Sequence, residues 1–137
     1  MIVPILSVKD IAVSIAFYEK LGFHKTMELP GPDGVLTFGF VQLGVSNMGL
    51  SRMSDVPPTP YVDFMIPILE GTQLDAHYER VKAHGVAIAE EIKTQYWGDR
   101  SFTVIDPDGY KIVLFQTVEK MDLDKVAAVI REDQKSE

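Results

Sequence analysis

The chain contains no cysteine. That excludes disulfide scaffolds, thiolate zinc sites, iron–sulfur clusters and cysteine nucleophiles together. Histidine is scarce, with three residues, and there is one tryptophan. No apolar run approaches the roughly 20 residues of a membrane-spanning helix. The segment Met1 to Asp10 lacks a basic region, a long apolar region and a cleavage site. No secretory signal is read there, and a cytoplasmic location without membrane contact is expected. Positive charge is also short: 13 Lys and Arg against 20 Asp and Glu give a net charge of −7. Such a surface does not attract phosphate backbones, so no nucleic-acid partner is expected. The HExxH, GxSxG, Walker A and GxGxxG patterns are all absent.

What is present suits one globular domain: 137 residues, 46% of them hydrophobic and 24% charged. Ile2 to Val8 reads as a buried strand. Asp10 is placed to cap a helix whose stripe runs through Ile11, Ile15, Tyr18 and Leu21, and Gly22 stands where the helix stops. Phe23 to Leu29, Val35 to Leu43 and Asn47 to Met53 read as strands, with the Pro30-Gly31-Pro32-Asp33-Gly34 turn between the first two. Ser54 to Pro60 reads as a linker. The pattern then repeats. Tyr61 to Ile68 reads as a strand, and Thr72 could cap a helix to Ala83 carrying Leu74, Tyr78 and Val81. Val86 to Ala89 reads as a short strand, Glu91 to Arg100 as a loop, and Phe102 to Ile105 and Tyr110 to Val118 as strands. Ala16-Phe17-Tyr18-Glu19-Lys20 recurs as Ala76-His77-Tyr78-Glu79-Arg80, and Pro32-Asp33-Gly34 as Pro107-Asp108-Gly109. Matched words in matched context indicate an internal duplication. In the tail, Asp122 could cap a helix with Leu123, Val126, Ala127 and Ile130 on one face, expected to dock on the body. The residues from Arg131 are expected to fray.

Few residues carry obvious chemistry. His77 and His84 stand about 10 Å apart along one helix, too far to share an ion, and read as solvent-facing. His24 reads as a surface residue. Glu90 and Glu91 point to opposite faces of an extended segment, which disfavours a shared acid–base role. Asp106 is accounted for by bonds to turn amides. The segment Tyr96-Trp97-Gly98-Asp99-Arg100 says more. Aromatic surface beside a guanidinium can hold a planar or anionic ligand. The competing role is structural, with Trp97 plugging the sheet end and Arg100 paired to an acid.

Two stretches carry a family resemblance. Val8-Lys9-Asp10 through Ser14-Ile15-Ala16-Phe17-Tyr18 to Leu21-Gly22-Phe23 resembles the opening of vicinal oxygen chelate proteins. The Trp97 segment followed by Asp106-Pro107-Asp108-Gly109 resembles their closing strands. The resemblance covers about residues 2 to 118. It implies an α+β fold of two tandem βαβββ modules, residues 1–55 and 60–118, forming curled mixed sheets around a concave pocket. The domain would span 1–120, with a C-terminal helix and tail in 121–137. In the family's enzymes a divalent metal is held by side chains that fall here at Val3, Tyr61 and Val113. Two valines and one phenol do not make a metal site, so neither metal nor other cofactor is expected. That argues against glyoxalase, dioxygenase and thiol-transferase activity and leaves catalysis open. The resemblance is greatest to the metal-free bleomycin-resistance-like members, which implies a homodimer that sequesters an antibiotic or related small molecule. The alternative is a metal-independent isomerase or lyase, with Tyr61 as acid and Arg100 as anion clamp. A metal-dependent enzyme ranks behind both. The expected pocket-facing residues are Phe38, Phe40, Tyr61, Trp97, Arg100 and Phe102.

Overall fold

Asp10 follows the first strand and starts the first helix. Its carboxylate accepts a hydrogen bond from the Val13 amide at 3.1 Å, satisfying one of the helix's free N–H groups. The computed structural model that carries this description covers residues 1–57, 62–69, 73–118 and 123–135. The first half contains β1 (Ile5–Val8), α1 (Ile11–Lys20), β2 (His24–Pro30), β3 (Leu36–Leu43) and β4 (Ser46–Arg52). The second contains β5 (Asp63–Pro67), α2 (Leu74–Ala83), β6 (Ile88–Thr94), β7 (Asp99–Ile105) and β8 (Lys111–Thr117), and α3 (Leu123–Lys135) follows.

Each half builds a four-stranded mixed sheet, in the orders β1-β4-β3-β2 and β5-β8-β7-β6. The first strand of each lies parallel to the fourth, and the other pairings are antiparallel. The expected α+β architecture of two βαβββ units is therefore observed.

One face of each sheet is closed by its helix. Val41, Met48 and Leu50 are buried with Ile11, Ile15 and Tyr18 of α1. In the second sheet Phe102, Val104, Ile112 and Leu114 are buried with Leu74, Tyr78 and Val81 of α2. Burying each large side chain contributes about 1.5–3 kcal/mol. Strand alternation sends the residues between them to the opposite face, which neither helix covers.

The buried apolar residues of both units form one cluster, and polar contacts also join them. The Tyr18 hydroxyl donates to Asp106 Oδ2 at 2.8 Å, and the Tyr110 hydroxyl donates to the Ser7 carbonyl at 2.9 Å. The Lys9 amide donates to Asp108 at 3.0 Å. Asp106 also accepts from the amides of Asp108 and Tyr110, so it orders its own turn, as expected, and anchors α1 as well.

Several expectations need correction. The segment Glu91 to Arg100 is not a loop. Residues 91–94 complete β6, Asp99 and Arg100 begin β7, and a turn of only 95–98 joins them. β6 pairs with β7 alone and carries register shifts, so its charged residues face solvent as an edge strand allows. Thr72 lies outside the described residues, and the α2 cap position is Gln73, without a side-chain capping bond. Asp122, the expected α3 cap, is also outside them. Of the α3 stripe, the described side chains do not dock: Leu123 is 71% and Ile130 42% exposed, and Ala127 is exposed too. The helix extends through Arg131 to Lys135.

Candidate functional site

The uncovered face of the first sheet carries an apolar row. Strand register aligns Met27, Phe40, Gly49 and Ile5 across β2, β3, β4 and β1. Phe38 lies beside the row, opposite Leu29. The Phe38 and Phe40 rings meet edge to face, with centroids 5.1 Å apart and planes at 73°, a favourable arrangement of their quadrupoles. Both rings are half-buried, while Ile5 is 60% and Leu29 55% exposed. Gly49 makes the pairing possible. A Cβ there would stand 3.2 Å from Phe38 Cζ, 3.2 Å from Phe40 Cε1 and 3.1 Å from Ile5 Cγ1, so the missing side chain lets both rings lie against the strand.

The uncovered face of the second sheet is more polar. Met65, Val113, Thr103 and Glu90 align across β5, β8, β7 and β6, and Phe115 stands opposite Ser101. Glu90 accepts from the Thr103 hydroxyl at 3.3 Å. The Lys111 ammonium lies 3.6 Å from Asp63 and 3.9 Å from Glu90. Two carboxylates share one cation there, all of them exposed enough that the pairs add little stability.

The five described residues of the expected pocket, Phe38, Phe40, Trp97, Arg100 and Phe102, do not converge. Phe38 and Phe40 share the uncovered face of their sheet. Phe102 is 1% exposed and packs on Tyr78 of α2, ring centroids 4.9 Å apart, on the helix-covered face. Arg100 also turns toward α2. Its guanidinium donates to both carboxylate oxygens of Asp75, at 2.7 to 3.2 Å, and to the Thr94 hydroxyl. That bond holds the Asp75 carboxyl below its ordinary range and the guanidinium above its own. An arginine so engaged is not a ready anion clamp. Trp97 sits in the 95–98 turn, where its indole N–H donates to Asp99 at 3.0 Å and its ring meets Tyr96 edge-on at 4.8 Å. Asp99 also accepts from the Thr117 hydroxyl, so the Trp-Gly-Asp segment ties off one end of the second sheet. Tyr61 lies outside the described residues. Val3 is partly exposed and Val113 half-buried, and neither offers a donor atom to a metal, so these positions do not fit the family's ion. Among the described residues no three His, Asp or Glu side chains group as a metal site.

His77 was expected to face solvent and does not. It is 6% exposed, and its Nε2 lies 2.6 Å from the Leu21 carbonyl, which fixes Nε2 as the protonated, donating nitrogen. Burial holds its pKa below the usual histidine value. Gly22 makes room: its φ of 103° suits glycine, and a Cβ there would fall 2.7 Å from the imidazole. A signal was available, because Leu74, His77, Tyr78 and Val81 follow the i, i+3, i+4, i+7 spacing of one helix face. His24 and His84 are exposed, as expected.

A family model described as Glyoxalase/Bleomycin resistance protein/Dioxygenase superfamily matches residues 2–114. An uncharacterized protein of Mycobacterium tuberculosis (strain ATCC 25618 / H37Rv) is 31% identical over 140 residues, spanning 93% of this chain and 80% of its own. A bleomycin resistance protein of Geobacillus stearothermophilus is 33% identical over 127 residues, spanning 85% of this chain and 96% of its own. The crystal structure of a bleomycin-binding protein complexed with bleomycin superposes with a TM-score of 0.63 at 24% identity, covering 85% of this chain and 97% of that one. The mycobacterial alignment is long enough to reach into α3, whereas the bleomycin resistance match takes in nearly all of that protein and less of this one. With the same tandem architecture, a family match over most of its length and relatives at this level of identity, the chain belongs to the glyoxalase/bleomycin resistance protein/dioxygenase superfamily.

Proposed function

We propose that the protein binds a small organic molecule on the uncovered faces of its sheets and sequesters it without chemical change, an antibiotic or related compound being the candidate ligand. The observation that carries this reading is the apolar row containing the Phe38–Phe40 pair, left open where the opposite face of the same sheet is sealed by α1. Solvent-facing aromatic rings held by a close glycine are preorganised to take an apolar or planar group. The polar counterpart is the Asp63–Lys111–Glu90 cluster, which with the net charge of −7 favours a cationic ligand. The bleomycin resistance relative supports the same ligand class.

The open apolar face of the first sheet also favours a homodimer, in which a second copy completes the groove. The expected mass in sedimentation is twice that of the chain. The reading as a metal-independent isomerase or lyase loses its proposed anion clamp to Asp75. The direct test is a thermal-shift comparison of bleomycin, fosfomycin, mitomycin-like quinones, glutathione thioacetals and divalent metals. Stabilisation by a cationic drug that Phe38→Ala and Phe40→Ala abolish supports sequestration. Stabilisation by metals alone would reverse the argument made from Val3 and Val113.

A further inference from the structure

A second cleft lies away from the apolar row, where the two units meet. It measures 270 Å³ and is formed by the end of α1 at Gly22, the β3–β4 turn at Leu43 and Gly44, the chain leaving β5 at Pro67 to Leu69, and His77 and Arg80 of α2. Leu69 seats directly on Gly44, where a Cβ would stand 3.1 Å from its side chain, so the apolar wall joins both units. The cleft lies just below the range of about 300–1,000 Å³ common for drug-sized ligands. It suits something smaller.

Arg80 sets the chemistry. Its side chain is exposed at the cleft, and it enters no hydrogen bond or ion pair among the described residues, unlike Arg100 with Asp75. A narrower extension shares Gly22, His77 and Arg80 and adds Lys20 and His84, with Glu19 as the acid on that rim. Among the described residues that line the cleft and its extension, charge is thus basic on a chain whose net charge is −7. His77 is already committed to the Leu21 carbonyl and forms part of the floor.

We propose that this cleft binds a small monocarboxylate with a compact apolar body, the guanidinium of Arg80 taking the carboxylate and Leu43, Pro67 and Leu69 receiving the body. A planar guanidinium fork matches a carboxylate in geometry as well as charge. The apolar wall discriminates against inorganic phosphate, which has nothing to place there.

The test is an amide NMR titration of the full chain with benzoate, with benzamide as the neutral isostere and inorganic phosphate as the bare anion. Benzoate is expected to shift the Gly22, Gly44, Leu69 and Arg80 signals saturably. Benzamide and phosphate should each bind at least ten-fold more weakly. Arg80→Gln should weaken benzoate at least ten-fold while leaving the rest of the spectrum in place, and Arg80→Lys should fall between. The remote substitution Arg131→Gln should change nothing. Non-saturating shifts, equal affinity for benzamide, an unaffected Arg80→Gln variant, or shifts confined to the Phe38 and Phe40 face would each overturn the proposal. Phe38→Ala distinguishes the two sites, because it should leave benzoate binding intact whatever it does to a drug.

Discussion

At the scale of single residues, buried polar groups add to the shared apolar core in holding the two units together. Burial pushes the Asp106 carboxyl above its ordinary range, and the same burial together with the Asp106 charge pushes the Tyr18 phenol up. Their hydrogen bond of 2.8 Å favours the neutral phenol and the ionised carboxylate, so it raises the Tyr18 pKa further and draws that of Asp106 back down. Tyr18→Phe removes the donor and keeps the ring, so it should cost about 1–3 kcal/mol in urea denaturation; a loss below about 0.5 kcal/mol would mean that water replaces the bond. His77 makes a pH prediction. Its folded pKa is lowered, so below about 6.5 the unfolded chain takes up a proton that the folded chain resists. The contribution is present above about 6.5 and is lost as pH falls from there toward the folded value. Stability should decline between pH 7 and 5.5, and His77→Gln should flatten that slope. These residues also show where sequence reasoning falls short. Ser101, Phe102, Thr103 and Val104 are all buried, so composition does not reveal which alternate residues face the helix. Phe102 was therefore expected in the pocket, although α2 covers it.

At the scale of elements, what was legible followed from local rules. α1 starts at its Asp10 cap and stops before Gly22, because caps and left-handed glycines act within one turn. β6 was misread because Glu90, Glu91 and Lys93 look like loop, and their place in a strand depends on pairing with β7 across the turn. An edge strand has one partner and leaves its charges in water. Gly49 and α3 each allow a prediction. Gly49→Ala must push against both phenylalanine rings and Ile5, so it should displace them and weaken ligand binding more than it weakens the fold. Crystal structures of the two forms would check the ring positions. Removing α3 should change unfolding free energy by less than about 1 kcal/mol, since its exposed Leu123 and Ile130 give little burial. A larger loss would show that α3 packs on the body or on a second copy in solution.

For the whole molecule, the repeat was the most legible feature. Two sheets with the same strand order follow from two segments with the same pattern of strands, helix and turns. The side-chain site was less legible, because each sheet has two faces and only tertiary packing tells which one the helix seals. The open face of the first sheet is the ligand surface proposed above. Isothermal titration of bleomycin into the wild-type protein and into the Phe38→Ala/Phe40→Ala variant tests that claim most directly. Saturable binding to the wild type is expected, with a loss of at least ten-fold in the variant and the variant's fold intact by circular dichroism. Equal binding by both proteins, or none by either, would contradict it.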